Sequence, residues 1–433
     1  MRPLMVLDGL ERRPTWRALE GLDTALTAAS RAAGAEVARA PSATAAVPAA
    51  ASEGVETAYV ALVRALLREE RGDVPSALAA GLLEEDNRLG CGGAVPDGLV
   101  AAVTVDLELV LAVARRGWQA EAAQVTPLLL PPLERLAHEP DDPAHRGWEA
   151  AVSELAAALM REPADAVARR LLARFASEGS GAAARFAALR WEDGGLRGIP
   201  HPATAEGVTL VGVDEQLHRL YANTEALLAG APAHNVLLYG PRGSGKSTAV
   251  RSLLPRYAGR GLRLLELPGD AVAHLPEVVE ALRRRPQRFV LYVDDLSFEQ
   301  GDRRYHPLKT LLEGSLTARP DNVVLYATSN RRHLLTERFS ERPEPGDDDV
   351  HAWDTHNERL ALADRFGLAI TFPSATQRAY LGIVAALAED AGVRGPDLDQ
   401  RAIRFADWGN GYSGRTARQF IDAVLQERAA GRA

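Results

Sequence analysis

Residues 235–250 read NVLLYGPRGSGKSTAV, and this run is the strongest single indication of fold class in the chain. It fits the pattern G-x-x-x-x-G-K-[ST], with Gly240, Gly245, Lys246 and Ser247 at the fixed positions. The β-rich residues NVLLY before it predict a strand, and the apolar spacing of STAVRSLLPRYA after it predicts a helix. A loop that leads from a strand into a helix N-terminus points backbone N–H groups and the positive end of the helix dipole at one spot. The run therefore predicts a phosphate-binding loop.

The residues of this loop have separate expected roles. Lys246 can reach the β- and γ-phosphates of a nucleotide, and the Ser247 hydroxyl can hold Mg²⁺. The alternative is a glycine turn that precedes a lysine by chance, which composition argues against because the chain has only two lysines, Lys246 and Lys309. The loop residues predicted to surround the phosphates of ATP are Gly240, Pro241, Arg242, Gly243, Ser244, Gly245, Lys246, Ser247 and Thr248.

Length and composition narrow the class of protein. The chain has 433 residues and a formal net charge of −8, which allows two or three domains and gives no general attraction to nucleic acid or to anionic membranes. Cys91 is the single cysteine, which excludes a disulfide framework or a four-thiolate zinc site and predicts a cytoplasmic protein. The longest apolar stretch, at 98–117, carries Asp106 and Glu108 near its middle, so it predicts a buried helix and not a membrane span.

The pattern along the chain changes near residue 195. Residues 1–190 have helical periodicity, as in TAYVALVRALLREE and DAVARRLLARFASEG, and predict a helical N-terminal domain over 1–195. The segment RWEDGGLRGIPHPATAEG at 190–207 predicts a linker. Strand signals then alternate with helical or loop stretches. The predicted strands are 235–239, 263–267, 289–293, 322–327 and 367–372.

This alternation predicts an α/β fold of the P-loop NTPase type, with a parallel sheet covered by helices on both faces. The α/β nucleotide-binding domain is expected over 196–373, and a helical lid domain over 374–433.

Within the sheet, FVLYVDDLSFE places Asp294 and Asp295 directly after a buried strand, at the carboxyl edge beside the phosphate loop. Asp294 is expected to hold Mg²⁺ through water, and Asp295 to orient or deprotonate an attacking water. The alternative is an Asp-rich turn, which the upstream loop disfavours.

At this point the chain resembles a known superfamily: residues 207–430 look like an AAA+ ATPase module. The run LYVDDLSFEQGDRRYHPLKTLLEGSLTARPDNVVLYATSNRRHLL is similar to an uncharacterised bacterial family of predicted AAA+ P-loop ATPases. The resemblance implies ATP and Mg²⁺ as cofactors. It also implies that Asn330, at the end of LYATSN, is the sensor-1 side chain that faces the γ-phosphate and its water, and that LVGVDEQLHRL packs the adenine around Val211 and Gly212. A turn-capping role is the alternative for Asn330.

Two arginines have roles that the resemblance implies. Arg365, in LADRFGLAITF, is the candidate arginine finger that reaches a neighbouring subunit's nucleotide, with Arg331 and Arg332 as second choices. Arg415, in GYSGRTARQF, resembles the sensor-2 residue that faces the γ-phosphate from the lid. A solvated surface charge is the alternative for both Arg365 and Arg415.

The chain departs from the superfamily pattern at two places. Most AAA+ proteins carry Asp-Glu where this chain has Asp294 and Asp295, so either hydrolysis is slow or Glu299 is the base. The stretch LPGDAVAHLPEVVEALRRR lacks the aromatic and glycine pair with which threading motors grip polypeptide, which disfavours a protein unfoldase. The acidic, proline-containing segment at 340–356 predicts a mobile loop.

The leading hypothesis is a Mg²⁺-dependent ATPase that works as a homo-oligomer and remodels or loads a macromolecular partner. An unknown protein partner is expected to bind the N-terminal helical domain. A nucleotide-gated binding module with negligible turnover is the second hypothesis. A nucleic-acid-associated loader is the third; the net charge disfavours it, and only local arginine groups such as RRRPQR at 283–288 favour it.

Overall fold

The structure is a computed structural model, and it describes residues 3–39, 47–86, 89, 96–126, 133, 146–205, 210–297, 305–313, 319–330, 365–409 and 411–430. The chain divides into two units, Met1–Arg185 and Phe186–Ala433. No helix within the described ranges is long and apolar enough to cross a membrane.

The first unit is helical throughout its described residues, as the sequence predicts. A 3₁₀ helix at Asp8–Arg12 precedes the α-helices. These are α1 (Pro14–Arg39), α2 (Ala49–Arg68), α3 (Val74–Glu84), α4 (Asp97–Ala114), α5 (Trp118–Val125), α6 (Arg146–Arg161), α7 (Ala164–Glu178) and α8 (Ala182–Arg185). Helix α1 packs on α2, α3 on α6 and α4 on α7. Fully buried Trp16, Tyr59 and Phe175 lie in their common core, where apolar burial supplies the main stabilisation.

The second unit is built on one seven-stranded sheet. Its strands are β1 (Ala188–Glu192), β2 (Gly195–Gly198), β3 (Val236–Tyr239), β4 (Leu262–Glu266), β5 (Arg288–Val293), β6 (Val323–Ser329) and β7 (Leu368–Thr371). The spatial order is β2-β1-β4-β5-β6-β3-β7. Within this described sheet only the β1–β2 pair is antiparallel, and the other neighbouring pairs are parallel.

The helices of this unit cover the sheet and form the lid. They are α9 (Asp214–Leu228), α10 (Lys246–Arg251), α11 (Leu253–Tyr257), α12 (Leu275–Leu282), α13 (Tyr305–Glu313), α14 (Gln377–Asp390), α15 (Leu398–Trp408) and α16 (Gly414–Ala429). The last three have a core of their own that includes Tyr380, Val384 and Phe420. The predicted fold class is confirmed: a P-loop NTPase sheet with helices on both faces, a C-terminal helical lid and an all-helical N-terminal region.

The strands that the sequence predicts are the four central strands β4, β5, β6 and β3 and the edge strand β7. All seven residues of β6 are buried, and so are all residues of β5 except Arg288. A parallel strand covered on both faces reads as a continuous apolar run, which makes these strands visible in the sequence.

The linker prediction for 190–207 is wrong at its start, where the structure has β1 and β2. Asp193 and Gly194 form the turn between them, with φ angles of 52° and 74°. Two consecutive positive φ angles are typical of a two-residue hairpin turn whose twist matches that of the strands. Glu192 pairs with Gly195 across this turn, and β1 pairs in parallel with β4. The hairpin therefore belongs to the sheet and extends its edge.

Candidate nucleotide-binding site

Three neighbouring strands bring the predicted motifs to one edge of the sheet. The loop at 240–245 follows β3, Asp294 and Asp295 follow β5, and Asn330 follows β6. All three strands are parallel, so their carboxyl ends meet at the same edge. A cavity of 550 Å³ lies there. The described residues that line it are Leu210, Val211, Val213, Arg242, Gly243, Ser244, Gly245, Lys246, Ser247, Thr248, Arg251, Asp294, Asp295, Thr328, Asn330, Ile383, Leu387, Gly414, Arg415 and Arg418.

The phosphate loop has a backbone that only glycine adopts easily at three positions, Gly240, Gly243 and Gly245. Gly245 has φ of 96° and precedes the first residue of α10, where no side chain caps the helix. The first-turn N–H groups of α10 therefore have no side-chain acceptor, and phosphate oxygens are suited to that place. Gly243 has φ of 74°, and a Cβ there would lie 2.9 Å from Ser413 Cβ. The loop and the start of the lid helix α16 are consequently in close contact, with Gly414 N–H donating to Gly243 O at 3.0 Å.

Lys246 is buried and lines the cavity. Its Nζ donates to Gly240 O at 2.8 Å, to Pro241 O at 2.8 Å and to Asn330 Oδ1 at 3.3 Å. Burial lowers the pKa of Lys246, and the negative charges of Asp295 and Asp294 only partly oppose this effect. The hydrogen-bond partners of Nζ are neutral oxygens, and the oxygens of an anionic ligand would be stronger acceptors for the ammonium group.

Ser247 and Asp294 meet at the place where a Mg²⁺ ligand pair is expected. Ser247 Oγ donates to Asp294 Oδ1 at 2.8 Å, and Thr328 Oγ1 donates to the same oxygen at 2.6 Å. Burial alone raises the pKa of Asp294, but hydrogen bonds from side chains that include Thr328 and Ser247, together with the nearby Arg251, outweigh burial and lower it. An ionised carboxylate beside a hydroxyl is an oxygen donor set that suits Mg²⁺.

Asp295 and Asn330 form the second polar pair of the site. Asn330 Nδ2 donates to Asp295 Oδ1 at 2.6 Å, while Asn330 Oδ1 accepts from Lys246. Asn330 therefore connects the ammonium group to the carboxylate that the sequence assigns to the attacking water. Asp295 has φ of 52°, in the left-handed region. Aspartate and asparagine enter that region more readily than other residues with a side chain.

The other end of the cavity is apolar. Leu210, Val211 and Val213 come from the segment before α9, and Ile383 and Leu387 come from the lid helix α14. Gly212 lies beside Ala379 of α14 and has φ of 75°, a backbone conformation that glycine adopts more easily than other residues. A slot with apolar walls next to a phosphate loop suits the base of a nucleotide.

Ser244 Oγ at the loop is buried with no hydrogen-bond partner among the described residues, so the site also holds a free donor for a ligand.

Comparison with known families gives a match over the unit that contains this cavity. A family model described as "Protein of unknown function (DUF815)" matches residues 184–428. The chain belongs to this family. Among solved structures, the chain is similar to a single-residue mutant of RuvB from Thermotoga maritima, with 16% identity and a TM-score of 0.36, over 53% of this chain and 68% of that one. It is also similar to the Orc1 protein of Aeropyrum pernix in complex with DNA, with 18% identity and a TM-score of 0.38, over 52% and 65% of the two chains. Both likenesses are distant.

The remaining predicted residues of the DUF815 module are placed as follows. Arg415, on the first turn of α16, lines the cavity. Arg365 lies three residues before the first residue of β7 and is half-buried, and it is not among the described residues that line the cavity. Glu299, Arg331 and Arg332 lie outside the described residues, as does the acidic segment at 340–356.

Sequence reasoning missed several residues at this cavity. Arg418 lies three residues after Arg415 on α16, and this helical spacing could have indicated that both line the same site. Arg251 Nη2 lies 4.0 Å from Asp294 Oδ2, a contact that no local pattern predicts. The position of Thr328 beside the cavity depends on the register of β6 with β3 and β5, which the sequence alone does not give.

Proposed function

We propose that the second unit is a Mg²⁺-dependent ATPase of the AAA+ type, and that it works as an oligomer to remodel or load a macromolecular partner. One observation carries the proposal: Lys246, the hydrogen-bonded Ser247 and Asp294, and the hydrogen-bonded Asn330 and Asp295 all line one cavity of 550 Å³. Cavities of this size are typical of sites for small ligands.

Each side chain has a step that its position supports. Lys246 would exchange its carbonyl partners for the β- and γ-phosphates, which are stronger acceptors for an ammonium group. Ser247 and Asp294 would hold Mg²⁺, with Asp294 acting through water, and the ion would supply charge that offsets the phosphates. Asp295 would accept the proton of the attacking water, and Asn330 would orient that water. Arg415 would stabilise negative charge on the γ-phosphate from the lid.

The chain offers a matched pair of variants for the nucleotide site, because Lys246 and Lys309 are its only lysines. Lys246→Ala should weaken the binding of a fluorescent ATP analogue by about 100-fold or more, since charge-assisted bonds to the phosphates are lost. Lys309→Ala, on α13, should bind as the wild type does. Equal affinity of Lys246→Ala and wild type in this titration would contradict the assignment. A steady-state phosphate-release assay then separates an ATPase from a binding module with negligible turnover.

The oligomer part of the proposal depends on Arg365. A finger that completes a neighbour's site need not line the cavity of its own subunit, which agrees with the position of Arg365 before β7. Arg365→Ala should bind ATP normally and turn over about 10³-fold more slowly. Mixing Arg365→Ala with Lys246→Ala subunits should restore part of the activity, because each variant keeps the group that the other lacks. No rescue, together with wild-type activity that does not rise with protein concentration, would indicate a monomeric site.

A further inference from the structure

The strands that carry the two motifs of the site are not neighbours in the sheet. Strand β6 lies between β3, which leads into the phosphate loop, and β5, which leads into Asp294 and Asp295. Thr328 is opposite Leu238 of β3, and the pairing of Val293 with Ala327 places Thr328 beside Asp294 on the other side. Thr328 therefore lies between the ends of the two strands that carry these motifs.

Thr328 contacts the acidic residues after β5 through a single buried hydroxyl. The residue is 1% exposed. Its Oγ1 donates to Asp294 Oδ1 at 2.6 Å and accepts the backbone N–H of Asp295 at 2.9 Å. The next N–H, of Leu296, donates to the carbonyl oxygen of Thr328 at 2.7 Å. One residue of β6 thus holds two consecutive acidic residues of the site, one by its carboxylate and one by its backbone.

These bonds fix the direction of the Asp294 carboxylate. Oδ1 accepts from both Thr328 and Ser247, while Oδ2 lies 4.0 Å from the Arg251 guanidinium. Without the Thr328 hydroxyl, the carboxylate could rotate to form a closer ion pair with Arg251, which would take it away from Ser247. The same loss would free the N–H that helps to keep Asp295 in its left-handed backbone conformation.

We propose that Thr328 is a positioning residue that holds Asp294 in the orientation needed to bind Mg²⁺ together with Ser247. This role rests on the proposed ATPase function. Outer residues that orient a metal ligand commonly change metal affinity by about 10-fold to 100-fold when they are removed. The effect of Thr328 should consequently appear in the Mg²⁺ dependence of nucleotide binding, and not in binding without Mg²⁺, where Lys246 and the loop backbone act.

The test compares Thr328→Val with Thr328→Ser in the full-length chain. A fluorescent, non-hydrolysable ATP analogue is titrated at increasing Mg²⁺ concentrations and also in the presence of EDTA. Valine keeps the shape of the side chain but removes the hydroxyl, so half-maximal binding should need about tenfold more Mg²⁺ or more. Serine keeps the hydroxyl and should behave as the wild type does. Binding in EDTA should be the same for all three proteins.

A matched control separates this role from a general loss of stability. Thr224 is also fully buried, and its Oγ1 contacts Tyr326 Oη on the same strand β6 at 2.8 Å, away from the lining of the cavity. Thr224→Val should lower the melting temperature but leave the Mg²⁺ dependence unchanged. If Thr328→Val does not fold, the Mg²⁺ dependence of Thr328→Ala is compared with that of Thr328→Ser, because these two side chains differ only in the hydroxyl.

The outcomes distinguish the two levels of the proposal. Mg²⁺-dependent binding in the wild type that Thr328→Val and Thr328→Ala leave unchanged would overturn the role of Thr328 and keep the ATPase assignment. A serine variant with the same defect as the alanine variant would also overturn it, since packing of the methyl group would then be the cause. A wild-type protein that binds no analogue at any Mg²⁺ concentration would overturn the proposed function itself.

Discussion

Asp106 in the helical unit and Lys246 in the α/β unit are both buried ionisable side chains, but their surroundings differ. The Asp106 carboxylate, 1% exposed, accepts backbone N–H groups from Met5, Val6 and Leu7 at 2.7–3.0 Å. Lys246 also has hydrogen-bond partners, yet it lines a cavity and its partners are neutral oxygens of its own loop and of Asn330. Asp106 therefore holds the segment Met5–Leu7 in place by hydrogen bonds. Lys246 lines a cavity and could exchange its present hydrogen-bond partners for those of a ligand.

The difference indicates how a buried polar group can be assigned before any ligand is known. A group whose hydrogen-bonding capacity is used by backbone of a fixed segment contributes to stability, because its removal leaves those N–H groups without an acceptor. A group that points into a cavity beside other polar groups is available for a ligand. Variants of the two kinds should therefore separate cleanly, one kind changing stability and the other changing activity.

The largest expected effect on activity comes from Asp295→Asn. The amide keeps the size of the side chain and tolerates the left-handed backbone, but it cannot accept a proton from water. Turnover should fall by about 10³-fold while binding of ATP and Mg²⁺ and the melting temperature stay the same. Phosphate release and analogue titration measure the two properties. Asp270→Asn, at an exposed position of the same unit, is the control and should be fully active.

The opposite result would reassign the base. If Asp295→Asn turns over normally and Glu299→Gln is inactive, the longer acidic side chain downstream carries out proton transfer. The hydrogen bond between Asn330 and Asp295 would then serve only to hold the sensor side chain in place.

The largest expected effect on stability comes from Asp106→Asn. An amide cannot accept all three N–H groups, and its own NH₂ would oppose them, so the free energy of unfolding should fall by about 3 kcal/mol. Urea unfolding of the full-length chain, followed by circular dichroism, measures this change. Glu108→Gln is the matched control, because Glu108 is exposed on the same helix and its change should be below about 0.5 kcal/mol. Nucleotide affinity should be unchanged in both variants, and a loss in Asp106→Asn alone would contradict a purely structural role.

The fold could be predicted from sequence wherever a strand is buried on both faces. Strands β3 to β6 match predicted strands because continuous apolar runs identify central parallel strands. The edge strand β7 also matches a predicted strand, at 367–372, although only one of its four residues is buried. Strands β1 and β2 were missed because charged residues at Arg190, Glu192 and Arg197 interrupt the apolar pattern at the sheet edge. The Asp193-Gly194 dipeptide was nevertheless a hairpin signal, since both residues have the positive φ angles that such a turn requires.

The candidate site divides in the same way between local and non-local information. Lys246, Ser247 and Asp294 could be predicted because each belongs to a short motif whose geometry is set by one strand and the loop after it. Thr328 could not, because its contact with Asp294 depends on which strands are neighbours and in what register. The apolar residues Ile383 and Leu387 also depend on how the lid packs, which no local pattern encodes.

The smallest expected effect concerns backbone strain, which both units contain. Glu70 has φ of 55° directly after the C-cap of α2, where Glu70 N–H donates to Leu67 O and Arg71 N–H to Leu66 O. This is the hydrogen-bond pattern that commonly ends a helix with glycine, so Glu70→Gly should raise the free energy of unfolding by about 0.5–1 kcal/mol. Glu70→Ala removes the side chain without relieving the strain and should give no such gain in urea unfolding.

The comparison becomes sharper when the same change is made at Asp295, whose φ is 52°. Asp295→Gly also relieves left-handed strain and should not destabilise the chain through its backbone, but turnover should be lost because the carboxylate is gone. Glu70→Gly should keep full ATPase activity, since its strain lies at a helix end outside the described lining of the cavity. Backbone strain at Glu70 could then be removed without loss of activity. At Asp295 it could not, because the strained residue also carries the carboxylate proposed for the reaction. An active Asp295→Gly variant would break this distinction and remove Asp295 from the catalytic residues.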